Sequence, residues 1–159
     1  MKYHMRRSDR EIKDENEINE ILNGGKYIVV ALCRENEPYI VTLSYGYDNE
    51  AGVIYMHSGK EGLKSEFIKA NPKVCATIID DRGYIQKECG HEYRTVVIHG
   101  RLSFVQELQE KKKAMEVILR QLEEIPEIVR ERSLKNDEIY NNVAILRLNI
   151  ENLTGKKGR

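Results

Sequence analysis

The chain has 159 residues, a third of them charged, with 26 Lys+Arg set against 26 Asp+Glu. That length suits one domain (residues 1–159) with a true core, and the neutral, evenly mixed charge argues against a nucleic-acid binder, which carries a basic excess or stripe. No apolar run approaches the roughly 20 residues of a membrane-spanning helix, the N-terminus MKYHMRRSDREIKDENE lacks the apolar segment of a secretory signal, and three widely spaced cysteines (Cys33, Cys75, Cys89) fit a reducing, cytoplasmic setting better than a disulfide framework.

In chain order, residues 14–22 (DENEINEIL) predict a short helix. Asp14 caps it with Glu17 three residues on, Ile18, Ile21 and Leu22 share a face, and Gly24 or Gly25 stops it. Three β-rich runs follow, KYIVVALC, YIVTLSYGY and VIYMHS, separated by the turns RENEP and DNEAG; they read as an antiparallel meander. The first is apolar throughout, as in a strand buried on both faces. In the second, Tyr39, Val41, Leu43 and Tyr45 alternate with Ile40, Thr42 and Ser44, giving an apolar face and a hydroxyl-bearing one.

The third run ends in His57-Ser58 and enters the loop Gly59-Lys60-Glu61-Gly62, then a short helix over residues 63–71 (LKSEFIKAN) stopped by Asn71-Pro72. Two glycines, a hydroxyl, Lys64 and a helix entry in one place offer backbone N–H groups and positive charge, the features that bind phosphate. KVCATIID and YRTVVIHGRLSFV are a fourth and a fifth strand, the fifth with a bulge or bend at Gly100. Residues 106–122 form an amphipathic helix through Leu108, Met115, Ile118, Leu119 and Leu122, with Lys111, Lys112 and Lys113 on its solvated side. A further helical piece runs from Pro126 to about Leu134, and NVAILRLNI is the last strand before a polar tail, ENLTGKKGR. The basic residues at the two ends (Lys2, Arg6, Arg7, Arg10; Lys156, Lys157, Arg159) read as solvated. Six strands joined largely by short turns, with two or three peripheral helices, predict a mainly β fold, an antiparallel barrel closed on itself.

Cys89-Gly90-His91-Glu92 lacks a second close ligand pair, so no metal site is expected. His4 and His99 stand alone. The absence of GxSxG, HExxH, Walker-type and GxGxxG motifs removes most hydrolase, kinase and dinucleotide-fold readings.

MRRSDREI, PYIVTLSYGY, IYMHSGKEGLKSEFIKANPKV, YRTVVIHGRLSFV and VAILRLNIENLTGK, in this order over nearly the whole chain, resemble the FMN-binding split-barrel proteins related to pyridoxamine 5′-phosphate oxidase, in their nitroimidazole-reductase-like (Nim) branch. The resemblance implies a six-stranded split β-barrel that binds FMN and acts as a homodimer, with the flavin at the subunit interface. By position it implies that Thr42, Leu43, Ser44 and Tyr45 run along the ring and ribityl chain, partly through backbone atoms. Met56, His57 and Ser58 would line the ribityl and phosphate region. The N–H of Leu63 and the side chain of Lys64 would hold the phosphate, and Thr95 would meet the flavin from the fifth strand. Two departures argue against pyridoxamine phosphate oxidation: Leu63 stands where the oxidases carry a basic residue, and the chain has no Trp and lacks the C-terminal Trp and Arg motif.

The function expected is therefore an FMN-dependent oxidoreductase, a reductase of small electrophiles such as nitroaromatics, with His57 as candidate proton donor. The alternatives are a non-catalytic flavin- or haem-binding module, for which His57, His91 and His99 are available, and a reductase using the deazaflavin F420.

Overall fold

The computed structural model describes residues 5–158, so Lys2, His4 and Arg159 lie outside the described residues. After a 3-10 turn at Ser8–Arg10 come a two-residue strand β1 (Glu11–Ile12) and helix α1 (Glu15–Gly24). The Asp14 carboxylate accepts the Asn16 N–H at 2.9 Å and caps α1 as expected. Glu17 is not the second half of that cap, because it is drawn instead to Lys157 Nζ at 2.8 Å.

Strands β2 (Tyr27–Arg34) and β3 (Glu37–Asp48) form a two-residue hairpin whose central residues, Glu35 and Asn36, sit at φ 48° and 69°. Then come β4 (Val53–Ser58), helix α2 (Leu63–Ala70), β5 (Lys73–Ile85), β6 (Gly90–Phe104), helices α3 (Leu108–Leu122), α4 (Pro126–Ser133) and α5 (Asp137–Asn142), and β7 (Ala144–Gly158). The sheet runs β1-β7-β4-β3-β2-β5-β6, and β6 pairs back onto β7. All these pairings are antiparallel. Six strands thus close a split barrel, and β1 is a short addition on β7.

The expected polar tail is a strand. Residues 151–158 look solvated because their polar side chains occupy the outward pleat, while their backbone pairs with β6 (Val97↔Thr154, Thr95↔Lys156). Leu153 packs on the core and Gly155 is buried against Ile12. The bulge expected at Gly100 is present: His99 pairs with Asn152 and Gly100 with Ile150, leaving Glu151 as the extra residue. A side chain at Gly100 would run into the Asn149 carbonyl. Strands β5 and β6 also extend beyond the expected bounds, because Gly83–Ile85 and Gly90–Glu92 pair as an exposed hairpin that carries no apolar periodicity.

The barrel interior holds Ile28, Val30, Leu32, Tyr45, Ile54, Met56, Ile78, Val96, Ile98, Leu146 and Leu148. Its wall at β4 and β7 carries a second core on the outside, where Val53, Tyr55 and Ile145 meet Ala114, Met115, Ile118 and Leu119 of α3. The three successive lysines of α3 are not a solvated row. Lys113 pairs with the buried Asp48 at 2.6 Å, Lys112 pairs with Asp137 at 2.6 Å, and Lys111 is buried, donating to the Asn141 carbonyl at 2.9 Å. Successive helical positions point about 100° apart, so one run meets three surroundings. Burial alone would raise the Asp48 carboxyl, but the Lys113 ammonium and the Ala51 N–H hold it below its ordinary value.

Nor is β2 buried on both faces. Ile28, Val30 and Leu32 point inward, whereas Tyr27 and Cys33 are exposed and Val29 and Ala31 half-buried, because among the described residues no helix covers that outer wall.

α3 lies directly on β3 at Gly46, where an added Cβ would stand 2.7 Å from backbone atoms of Val117 and Ile118. Gly46→Ala is expected to cost about 1–3 kcal/mol through overpacking, read as a lowered urea midpoint; an unchanged midpoint would show that α3 can ride outward without penalty.

Candidate functional site

The strand-to-helix passage between β4 and α2 builds one half of the site. Gly62 precedes α2 at φ 106°, a conformation that favours glycine, and supplies no side-chain cap. Its carbonyl accepts from Ser65 N and Glu66 N at 2.9 and 3.3 Å. The Leu63 and Lys64 N–H groups, first in the helix, have no acceptor among the described residues, so two donors and the positive end of α2 face outward. The Lys64 side chain is half-buried and makes no ion pair among the described residues, and burial pushes its ammonium pKa down. A dianionic phosphate suits that donor set in charge and in hydrogen-bonding capacity.

α2 is seated on the β2–β3 hairpin. The Tyr39 and Phe67 rings stand 5.1 Å apart, Arg34 lies 4.6 Å over Phe67, and Asn71 Nδ2 donates to the Cys33 carbonyl at 3.0 Å. The β3–β4 ladder stops at Tyr45↔Met56, while the earlier part of β3 pairs with β2 alone. This parting of β3 from β4 opens the barrel wall beside the α2 entry. Thr42 and Ser44 present their hydroxyls on the outer surface there, with His57 exposed at the end of β4.

The other expected residues differ in what they can offer. Leu43 and Tyr45 point into the barrel, and the Tyr45 hydroxyl donates to the Leu22 carbonyl at 2.6 Å. Burial and that anchoring make Tyr45 a core residue whose phenol pKa is pushed well up. Met56 is fully buried. These three could reach an outer ligand only through main-chain atoms. Ser58 is largely buried and donates to the Gly59 carbonyl at 3.0 Å. Leu63 has an exposed side chain beside its free N–H.

Thr95 is on the same outer wall but not beside Thr42. Ser44 pairs with Tyr27 and Thr95 with Ile79, and the β2–β5 register Val29↔Thr77 joins the two pairs, three strand steps or about 14 Å along the wall at the usual spacing. Its hydroxyl sits 2.9 Å from the Ile78 carbonyl and 3.0 Å from Thr77 Oγ1. With Arg6, Arg7 and Lys156 it lines a cleft of about 280 Å³. Arg7 is engaged there by Asp9 at 2.6 and 2.8 Å.

Reading the sequence missed the wall joining these two parts. Ile40, Tyr27, Val29, Ile79 and Val97 form an outward surface rich in apolar side chains, with Ile40 and Ile79 more than half exposed. The signal lay in β2, whose outward positions are as apolar as its inward ones. Two histidines are engaged elsewhere: His91 Nε2 is 2.7 Å from Asp81 Oδ1, and His99 Nε2 is 3.9 Å from Cys75 Sγ.

A sequence model described as pyridoxamine 5′-phosphate oxidase matches residues 14–157. Among solved structures, a putative 5-nitroimidazole antibiotic resistance protein from Bacteroides thetaiotaomicron is similar over 93% of this chain and 86% of its own, at 25% identity and a TM-score of 0.79. A FAD-binding protein from Mesorhizobium loti is similar over 94% and 96%, at 22% identity and a TM-score of 0.67. A flavocytochrome from Azotobacter vinelandii is similar over 98% and 72%, at 15% identity and a TM-score of 0.80. No curated protein matches the chain.

An ammonium that is partly desolvated without a carboxylate disfavours folding, and a stored charge at a binding site often costs stability in this way. Lys64→Met is therefore expected to raise the urea midpoint of the ligand-free protein; a fall would mean that Lys64 has a stabilising partner.

Proposed function

We propose that this chain, which belongs to the pyridoxamine 5′-phosphate oxidase family, is an FMN-dependent oxidoreductase, working as a homodimer and reducing small electrophiles such as nitroaromatics. The observation that carries the reading is the α2 entry: two N–H groups and a lysine that have no partner among the described residues, beside an open stretch of β3. The flavin-binding descriptions of two structural relatives support the cofactor class, and the nitroimidazole resistance description of a third supports the substrate class. FMN is favoured because the cradle at Leu63 and Lys64 suits one terminal phosphate.

A bound flavin supplies the redox chemistry. The chain's own residues do the rest. Lys64 and the Leu63 N–H hold the phosphate, and Thr42 and Ser44 hydrogen-bond polar atoms that lie along β3. The apolar outer wall of Tyr27, Val29 and Ile79 offers a dry surface for a planar ring. His57, exposed at the open end of β4, can hold a proton there and release it to a reduced substrate.

The homodimer rests on the same wall. Its exposed isoleucines and Tyr27 are unpartnered in one protomer, and large exposed apolar patches mark interaction surfaces. A two-fold pairing of that wall excludes water from the ring. It also allows Thr95 of one protomer to approach the β3–α2 half-site of the other, which the 14 Å separation within one chain does not.

The reading is tested by the absorption spectrum of the purified protein and the mass of whatever denaturation releases. Flavin bands and the mass of FMN are expected; a colourless protein that also fails to take up added FMN would end the enzyme reading. Lys64→Ala is expected to weaken FMN binding by about 1.5–3 kcal/mol, roughly 10- to 150-fold, and unchanged affinity would place the phosphate elsewhere. His57→Gln is expected to slow nitroaromatic turnover with FMN retained, and turnover at the original rate would remove His57 from the chemistry.

A further inference from the structure

Three other lysines converge on a cleft that includes the same loop. Lys60 follows Gly59, Lys69 lies in the last turn of α2, and Lys111 belongs to the first turn of α3; together they line a cleft of about 320 Å³. Lys111 retains 7% of its accessible surface, and its Nζ donates to the Asn141 carbonyl at 2.9 Å. Lys60 Nζ approaches that same carbonyl at 3.5 Å. The next two lysines of α3 each hold a carboxylate, but none of these three makes an ion pair among the described residues. One carbonyl at the end of the six-residue α5 cannot offset three positive charges, since a helix terminus supplies about half an elementary charge. Burial, and Lys60 after it, push the Lys111 ammonium pKa down, as expected of a cation lacking a counter-ion. Beside Gln106 and the Asn141 carbonyl, the rest of the lining is apolar, with Phe104, Val105, Val143 and Ala144.

We infer that this cleft is a second anion site, taking an organic phosphate whose apolar portion lies against Phe104 and Val143. Three compact ammonium groups match a dianionic phosphate, and the cleft offers no guanidinium fork of the kind that grips a carboxylate. The volume admits a phosphate ester carrying a ring or a short chain, and the apolar wall gives such a group a reason to leave water. Lys64 does not line the cleft, so the two sites use different lysines.

The test is calorimetric titration of the full chain with phenyl phosphate and with inorganic phosphate, with and without saturating FMN. Phenyl phosphate is expected to bind in both conditions, about fivefold or more tighter than inorganic phosphate because only it covers the apolar wall. Lys69→Ala, at an exposed position, is expected to weaken both probes about tenfold or more at saturating FMN, Lys111→Met to weaken them further, and Lys64→Ala to change neither once FMN is saturating. Binding that vanishes with FMN or with Lys64→Ala would overturn the inference by placing the phosphate at the α2 entry. Indifference to Lys69→Ala, or equal affinity for the two probes, would overturn it as well. If the chain takes up no FMN, the flavin reading falls, while the titration without FMN still decides the cleft.

Discussion

The fold depends on one strand pairing on both sides. Residues 144–149 of β7 bond to β4 along one edge, and most of the strand bonds to β6 along the other, so β7 turns a six-stranded sheet into a ring. Closure removes the exposed ladder edges that would otherwise recruit another chain, except along the stretch of β3 that pairs with β2 alone. It also fixes where a ligand can go: the interior is filled by Ile28, Tyr45, Ile54, Met56 and Ile98, so only outer surfaces remain. The bulge at Gly100 and the buried Gly155 are what allow β7 to follow the ring. One admits the Asn149 backbone and the other the β1 side chain Ile12, each at a distance no side chain would tolerate.

Given closure, the outer walls divide by what covers them. α3 takes the wall of β4 and β7, whose outward residues are large and apolar, and Gly46 lets it lie close. The wall of β3, β2, β5 and β6 is left without a helix, although its outward residues include Val29, Val97, Ile40 and Ile79. The proposed flavin and the proposed second subunit answer the same physical need there, namely apolar surface left open among the described residues. The parting of β3 from β4, with α2 held over the hairpin by Phe67, sets the phosphate-binding features at the margin of that wall rather than inside it.

The barrel and the α2 entry were legible in the residues because both rest on local signals. Strand-length apolar runs with short turns gave the meander, and Gly62 followed by Leu63-Lys64 gave a helix entry with free donors. What was not legible depended on contacts distant in the chain. Residues 151–158 look like a solvated tail because half of a barrel strand's side chains face outward, and only the pairing with β6 reveals it. The tip of the β5–β6 hairpin has no buried face and so no periodicity. Met56 and Tyr45 fall within the recognisable motifs, but the pleat turns their side chains inward, so residue type alone could not separate backbone neighbours of an outer ligand from side-chain ones.

The lysines show how far physical bookkeeping of charge can distinguish structure from function. Lys113 and Lys112 each found an aspartate, and Lys157 a glutamate, as a chain selected for stability alone would arrange them. Lys64 and Lys111 lose water on folding without gaining a carboxylate among the described residues, and in both the ammonium is pushed toward its neutral form. Neither position demands a lysine for packing: methionine matches the length of the stem without the charge. A chain that keeps an ammonium at such places accepts lower stability without ligand for tighter binding with it, because an arriving anion recovers the missing attraction in surroundings where it is screened less than in water. Lys111 lines a cleft that Lys64 does not, so the chain carries two such ammonium groups in separate surroundings, each without a carboxylate among the described residues.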